Sequence, residues 1–151
     1  MYHLGIDIGG TNLKFGILNK KFELVTDFSY KMQHLIDLDL IKTALIDNIA
    51  QIAKDYKLSS IGIGAPGIID DSGLIVVSPN IPAFNGFNLL NYLKESINIQ
   101  LGMEIPIKIE NDANIAAIAE MTLGIGANLN NFVYITLGTG VGGAIIINRS
   151  I

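Results

Sequence analysis

The spacing of apolar positions changes several times along this chain, and each change marks a new element. Tyr2 to Ile8 and Leu13 to Leu18 are short apolar runs separated by Gly9-Gly10 and followed by Asn19-Lys20-Lys21, which predicts two strands and their turns. Phe22 to Tyr30 places β-branched and aromatic residues between polar ones and predicts a third strand, making an antiparallel meander. The period then lengthens: Leu38, Ile41, Leu45, Ile49, Ile52 and Tyr56 recur every three or four residues, predicting a helix that Asp37 or Asp39 caps. Ser59 to Ala65 reads as a short strand stopped by Pro66-Gly67. The turn signal Asp70-Asp71-Ser72-Gly73 then predicts a hairpin of Ile68-Ile69 with Leu74 to Val77. Leu90, Leu93, Ile97 and Leu101 predict a second helix ended by Gly102, and Ile105 to Ile109 a strand with Pro106 near its start. Asn111 or Asp112 caps a third helix that runs from Ala113 to about Leu123 and stops at Gly124.

The order β-β-β-α-β-α-β-α predicts an α/β domain with a mixed sheet and helices on its faces. Two more strands follow, Asn131 to Leu137 and Gly142 to Asn148, around a turn at Gly138 to Gly140. This second strand-glycine-strand unit repeats the first, which predicts two related lobes facing each other. Residues 1–124 are expected to form the first lobe and 125–151 the opening of the second.

Composition sharpens this picture. Half of the 151 residues are hydrophobic and 16% are charged, against roughly a quarter charged in ordinary soluble domains; the mean hydropathy is +0.45. No run approaches the roughly 18 apolar residues of a spanning helix, so no membrane partner is expected. The densest runs, Ser60 to Ala65, Leu74 to Val77, Ile105 to Ile109 and Ala144 to Ile147, are read as fully buried strands. The remaining excess implies a surface that a second lobe or subunit covers, so a homo-oligomer is expected. A net charge of −4 without a basic block argues against sequence-independent nucleic-acid binding. The absence of cysteine removes disulfides and thiolate metal sites, and His3 and His34 are too far apart in sequence to suggest a metal site. Met1 leads into a strand without a basic-then-apolar leader, and the cytoplasm is the expected location.

Three segments carry candidate chemistry. In Asp7-Ile8-Gly9-Gly10-Thr11 the glycines let the backbone approach an anion, Thr11 adds a hydroxyl and Lys14 a positive charge. Asp7, at a strand end, is placed to hold a divalent ion through water. Alone, this could be a plain hairpin with Asp7 capping its turn. Thr136 to Gly143 is a second glycine loop after an apolar strand. It lacks the Gly-Lys-Ser/Thr of a Walker A loop, and a strand follows where a dinucleotide fingerprint needs a helix. Between the loops, Glu110-Asn111-Asp112-Ala113-Asn114 lies at a strand-to-helix junction, where ligands bind open α/β sheets. Phosphoryl transfer to a hydroxyl requires a base there, and Asp112 fits, with helix capping as its plain alternative.

The three motifs, in this order and across the whole chain, resemble the ROK family of repressors, open reading frames and sugar kinases, within the actin-like ATPase (ribonuclease H-like) superfamily. The resemblance implies that Gly9, Gly10, Thr11, Asn12 and Lys14 meet ATP phosphates, with Asp7 near Mg²⁺. It implies Thr136, Gly138, Thr139 and Gly140 as the second phosphate loop, Asp112 as catalytic base, and Asn111, Gly67 and Asn80 with Asp112 as sugar contacts. The chain departs from the family at Ala83-Phe84 where Gly-Trp is common, at Asn12 where Lys is frequent, and at Ala144 where a glycine closes the second loop. Family members continue about as far again, through a Glu-x-Gly-His segment and usually a structural zinc site. The chain is therefore expected to be an incomplete part, inactive or nearly so by itself. Its partners are expected to be ATP and a hexose or N-acetylhexosamine. The rival readings are a sugar-sensing repressor, which would carry a helix-turn-helix before the first loop, a chaperone- or cytoskeleton-type ATPase, and a sugar-binding remnant without catalysis.

Overall fold

The computed structural model describes residues 1–31, 37–137 and 140–151, so His34, Gly138 and Thr139 lie outside the described residues. The chain opens with β1 (Tyr2–Ile8), β2 (Asn12–Leu18) and β3 (Leu24–Lys31), then α1 (Leu38–Asp55) and β4 (Leu58–Ala65). Three short strands follow, β5 (Ile68–Ile69), β6 (Leu74–Val77) and β7 (Phe87–Asn88), before α2 (Leu89–Leu101). The rest is β8 (Ile107–Asn111), α3 (Asp112–Leu123), β9 (Phe132–Leu137) and β10 (Val141–Ile146). The main sheet has the order β3-β2-β1-β4-β8. Its first three strands are antiparallel, and β4 and β8 add in parallel.

Alternation along these strands sorts residues onto two faces. On one face Leu4, Ile6, Ile8, Leu13, Phe15, Ile17, Ile61 and Ile63 are almost fully buried, under Ile41, Leu45 and Ile49 of α1 and Leu89, Leu93 and Ile97 of α2. Each such burial is worth about 1.5–3 kcal/mol of transfer free energy, so this layer holds the domain together. The opposite face carries Gly5, Asp7, Lys14, Gly16, Gly62, Gly64 and Glu110. The strand register lines up Lys14, Asp7, Gly64 and Glu110 across it. Helix α3 lies on this face: a Cβ added to Gly64 would sit 3.6 Å from the Asp112 Cα and 3.7 Å from the Ile115 Cδ1. The site is thereby built at the end of β1, β4 and β8 that α3 enters.

The structure settles the two capping alternatives. Asp37 caps α1, its side chain accepting from the Asp39 and Leu40 N–H groups, and Asn111 caps α3. Several boundaries move. The third strand begins at Leu24, not Phe22. Asn19 Oδ1 accepts from the Lys21 and Glu23 N–H groups at 2.8 and 3.1 Å, and Phe22 takes φ 61° with its ring stacked on His3, so the turn is longer than three residues. The strand expected at Ile105 begins at Ile107. Pro106 has no N–H to pair, and its carbonyl instead accepts from Ile61 before the ladder starts. The expected element order gains β7, which joins the predicted hairpin in a three-stranded sheet, and a 3₁₀ turn at Pro82–Phe84; both are too short to show a period.

None of the four dense apolar runs is fully buried: Gly62 is exposed in Ser60 to Ala65, and Pro106 and Lys108 are exposed in Ile105 to Ile109. In Leu74 to Val77, Val76 and Val77 are exposed. In Ala144 to Ile147, Ala144 and Ile146 are buried while Ile145 and Ile147 are about 60% exposed. The last run ends in a turn, since Asn148 and Arg149 have positive φ, so β10 stops at Ile146 and not at Asn148. β9 and β10 form a separate two-stranded sheet. Only one of its faces has cover among the described residues, where Phe132, Tyr134, Ala144 and Ile146 pack with Ala117 and Met121 of α3.

Candidate active site

The first glycine turn is closed by the Gly9 N–H donating to the Asn12 carbonyl at 2.9 Å. A Cβ on Gly9 would approach that oxygen to 3.3 Å, whereas one on Gly10 would meet nothing within 4 Å, and Gly10 and Thr11 are exposed. The turn therefore presents Gly10 and Thr11 outward. The Asn12 amide donates to Thr11 Oγ1 at 3.2 Å, which ties the two side chains together. Lys14, opposite Asp7 in the β1–β2 ladder, places Nζ 3.1 Å from Asp7 Oδ2. Both groups stay solvated, so the pair itself adds only about 0–1 kcal/mol.

The β8–α3 junction is organised by side-chain amides. Asn111 Oδ1 accepts from the Ala113 and Asn114 N–H groups at 2.9 and 3.2 Å, while its Nδ2 donates to the Gly67 carbonyl at 3.0 Å. Because Asn111 caps the helix, Asp112 is released from that duty and becomes its first residue. Asp112 Oδ1 accepts from the Ala113 N–H at 2.9 Å, the residue is exposed, and among the described residues no donor reaches Oδ2. An acidic group in the first turn is also favoured by the helix dipole. Glu110 Oε1 accepts from the Asn111 N–H at 2.8 Å and from Asn114 Nδ2 at 3.0 Å, bracing both ends of the junction. Glu110 and Asn114 received no role from the sequence. Their four-residue spacing on the way into a helix is the signal that could have revealed the contact.

Of Gly67 and Asn80, Gly67 is the one that a hydrogen bond ties to this junction. Gly67 has φ 115°, and a Cβ there would collide with the Val77 carbonyl and lie 2.9 Å from the Ser78 Cα. Only glycine lets the segment after β4 lie against the end of β6 while offering its carbonyl to Asn111. Ser78 is fully buried, with its N–H on Asn85 Oδ1 and its Oγ accepting from the Ile81 N–H, and it leaves Asn80 exposed on the loop. Asn85 is a third residue to which the sequence gave no role.

The β9–β10 ladder reaches the junction through Gly142. Thr136 pairs with Gly142 in the β9–β10 ladder. A Cβ on Gly142 would sit 2.9 Å from Thr136 Cγ2 and 3.5 Å from the Ala113 Cβ, so β10 packs directly on the first turn of α3, next to Asp112. Gly140 is exposed beyond it. The structure thus brings Asp7 and Asn111–Asp112 to one edge, with Gly67 tied to Asn111 and Thr136 and Gly142 beside Ala113. Asp7 and Glu110 lie two strands apart, about 10 Å between backbones at ordinary sheet spacing. A depression of about 500 Å³ on the open sheet face extends from Asp7 and Lys14 across Gly5, Gly16, Gly62 and Gly64. Among the described residues no group of three His, Cys, Asp or Glu side chains is close enough to hold a metal by itself. No described helix is long and apolar enough to cross a membrane.

Comparison with known proteins bears on the family and the fold. The family model described as the ROK family matches residues 3–151. A glucokinase of Halalkalibacterium halodurans is 36% identical over 156 residues, covering 99% of this chain and 45% of the relative. The xylose repressor of Bacillus spizizenii is 30% identical over 153 residues, covering 98% of this chain and 38% of the relative. Among solved structures, a ROK family glucokinase from Streptomyces griseus in complex with glucose and AMPPNP superposes with a TM-score of 0.82 at 30% identity. That match covers 99% of this chain and 46% of the other. The chain spans less than half the length of each of these three proteins. With its fold, its three motifs in order and these matches agreeing from end to end, the chain belongs to the ROK family.

Proposed function

We propose that this chain is the sugar- and phosphate-gathering part of an ATP-dependent sugar kinase, acting on a hexose or an N-acetylhexosamine. The observation that carries the proposal is the state of Asp112. Asn111 supplies the helix cap, Asp112 keeps Oδ2 without a protein donor among the described residues, and the β9–β10 hairpin packs on the adjacent Ala113. A carboxylate so placed accepts a proton from a substrate hydroxyl.

In the proposed reaction the sugar is held by Asp112, by Asn80 and by the loop at Gly67 that Asn111 anchors. The sugar hydroxyl oxygen bonds to the γ-phosphorus of ATP, its proton passes to Asp112 Oδ2, and the bond from the γ-phosphorus to the β,γ-bridging oxygen breaks, releasing ADP. Backbone N–H groups around Gly9, Gly10, Gly138 and Gly140, with the Thr11, Thr136 and Thr139 hydroxyls, Asn12 and Lys14, receive the phosphates. Mg²⁺ fits the residues present: Asp7 offers an exposed carboxylate at the strand end, and this ion is commonly held by one or two carboxylates plus substrate phosphates. When bound it would neutralise charge on the phosphates. Asn111 has its oxygen committed to two N–H groups and its nitrogen to Gly67, which supports a role in shaping the sugar loop beside any direct sugar contact.

Residues 1–124 serve as the first lobe and β9–β10 as the opening of a second in this reading, and ligands bound to the 151-residue chain remain open to water. Turnover by this length alone is then small, because exclusion of water depends on both walls of a cleft. The test is ADP formation over a panel of hexoses and N-acetylhexosamines, measured on the 151-residue chain and on the longest polypeptide its gene encodes. Sugar-stimulated turnover by the longer form supports the proposal. Sugar-independent hydrolysis favours a general ATPase, and sugar binding without turnover favours a sensor.

A further inference from the structure

The kinase reading uses Asn80 and leaves the rest of its loop, Ser78 to Asn85, without a task. Ile81 and Phe84 are fully buried and sink the middle of this loop into the main core. Pro79 and Pro82 fix φ on either side of Asn80. The 3₁₀ turn at Pro82–Phe84 brings the Asn85 N–H to the Pro82 carbonyl at 3.1 Å. The Gly86 N–H then returns the chain to β6, donating to the Ile75 carbonyl at 2.8 Å. Between the buried Ser78 and Ile81, Pro79 and Asn80 face solvent.

One side chain closes the loop. Asn85 Oδ1 accepts from the Ser78 N–H at 2.7 Å, and Ser78 Oγ accepts from the Ile81 N–H at 3.3 Å. Ser78 is fully buried, so water does not readily replace Asn85, and a buried N–H without an acceptor is costly. Ser78 also meets the other sugar-side segment. A Cβ on Gly67 would lie 2.9 Å from the Ser78 Cα, and the Gly67 carbonyl accepts from Asn111 Nδ2 at 3.0 Å. A line of contacts therefore runs from Asn85 through Ser78 and Gly67 to Asn111. The cap that places Asp112 is made separately, by Asn111 with the Ala113 and Asn114 N–H groups.

We propose that Asn85 is a positioning residue for the sugar: by holding the Ser78 N–H it fixes the backbone that carries Asn80 and against which Gly67 rests. The proposal rests on the kinase reading for the ligand and for Asn80 as its contact. A contact residue is only as well placed as the groups that hold its backbone. Loss of Asn85 therefore loosens the grip on the sugar, while Asp112 keeps its own support on α3. Interactions made equally in the ground and transition states appear in KM and not in kcat. Asn85 is itself exposed, so shortening it opens no cavity.

The test is steady-state sugar phosphorylation by the longest polypeptide the gene encodes, with sugar and ATP varied separately and circular dichroism as a check on folding. Asn85→Ala is expected to raise the KM for sugar by about fivefold to tenfold, the equivalent of one neutral hydrogen bond. Its kcat and its KM for ATP are expected to stay within about twofold. Asn85→Asp keeps an accepting oxygen and is expected to recover most of the sugar KM. If Asn85→Ala does not fold, the sugar KM of Ser78→Ala, which removes the tie to Ile81, decides the matter in the same way. An unchanged sugar KM overturns the proposal, as does a matching loss in kcat or in ATP affinity, or an Asp variant no better than Ala. Failure of the kinase reading looks different: the wild type then shows no sugar-stimulated turnover. The same variants are in that case compared by equilibrium dialysis against the panel of hexoses and N-acetylhexosamines. Weaker sugar binding by Asn85→Ala, restored by Asp, upholds the proposal there; equal binding, or none by the wild type, overturns it.

Discussion

The β1–β2 and β9–β10 hairpins are written in nearly the same local code and meet opposite fates. Each is an apolar strand, a turn of glycine and threonine, and a second apolar strand. In β1–β2 the inward residues Ile6, Ile8, Leu13, Phe15 and Ile17 are at most 3% exposed, whereas Val133, Ile135, Leu137 and Val141 are at least 63% exposed. The difference lies in what each hairpin is given to pack on. The first has β3 and β4 beside it and α1 and α2 behind it; among the described residues the second has α3 alone. Local pattern sets the strand and the turn, and neighbours distant in sequence decide how much of the hairpin water sees.

The contrast is broken most forcefully at Phe15. Phe15→Ala empties a buried site stacked on Phe28, and unfolding in urea should show a loss of about 3–5 kcal/mol at every protein concentration. Ile145→Ala, at a largely exposed position, should instead cost no more than about 0.5 kcal/mol. An equal cost at both positions would erase the distinction between the hairpins.

Next in size is Asn111. Asn111→Ala removes the α3 cap and leaves the Gly67 carbonyl without its donor, a combined cost of about 2–3 kcal/mol. Asn111→Asp keeps a capping oxygen and should lose less. Because α3 is the cover β9–β10 depends on, hydrogen exchange should show amide protection falling in β9–β10 while β1–β2 keeps its own. Uniform loss in both would mean the two sheets unfold as one unit.

A smaller effect belongs to the one hairpin that carries charge. Lys14→Met should change stability by no more than about 1 kcal/mol, as expected for a solvated cross-strand pair, while weakening retention of inorganic tripolyphosphate in a binding assay. Unchanged tripolyphosphate binding would remove Lys14 from the phosphate site. The smallest effect is at the turn between β5 and β6. The Ser72 hydroxyl, then the Leu74 N–H, hold the Asp70 carboxyl below the usual aspartate range. With the folded value depressed, its contribution is present above the unfolded pKa and lost as pH falls through the folded one. Acid should therefore loosen β5–β6, measured by amide shifts in NMR, and Asp70→Asn should abolish that response.

Much of this was legible in the sequence because it is carried by short-range pattern. The α1 period, the stops at Gly102 and Gly124, and the hairpin around Asp70-Asp71-Ser72-Gly73 depend on residues within a turn or two of each other. What was hidden depends on distant partners. Nothing near Pro106 tells that its carbonyl will serve Ile61, and nothing near Ala144 to Ile147 tells which face α3 will reach. At the site, the motif marked Asn111 and Asp112 but left the capping duty undivided between them. The hydrogen bonds of Asn111 to Ala113, Asn114 and Gly67 make that division, and the Gly67 partner is 44 residues away in the chain. The turn at Gly138-Thr139 lies outside the described residues, and the phosphate role proposed for it is argued from the sequence pattern.

The measurement that bears most directly on the central claim is steady-state sugar phosphorylation by the longest polypeptide of this gene, wild type against Asp112→Asn, with urea unfolding of both as a control. The account predicts that the Asn variant folds with similar stability, keeps its KM for sugar within a few-fold, and loses roughly 10²–10⁴ in kcat, the range for removing a general base. A variant that turns over sugar at nearly the wild-type rate would contradict it, and would return Asp112 to the role of an ordinary first-turn residue of α3.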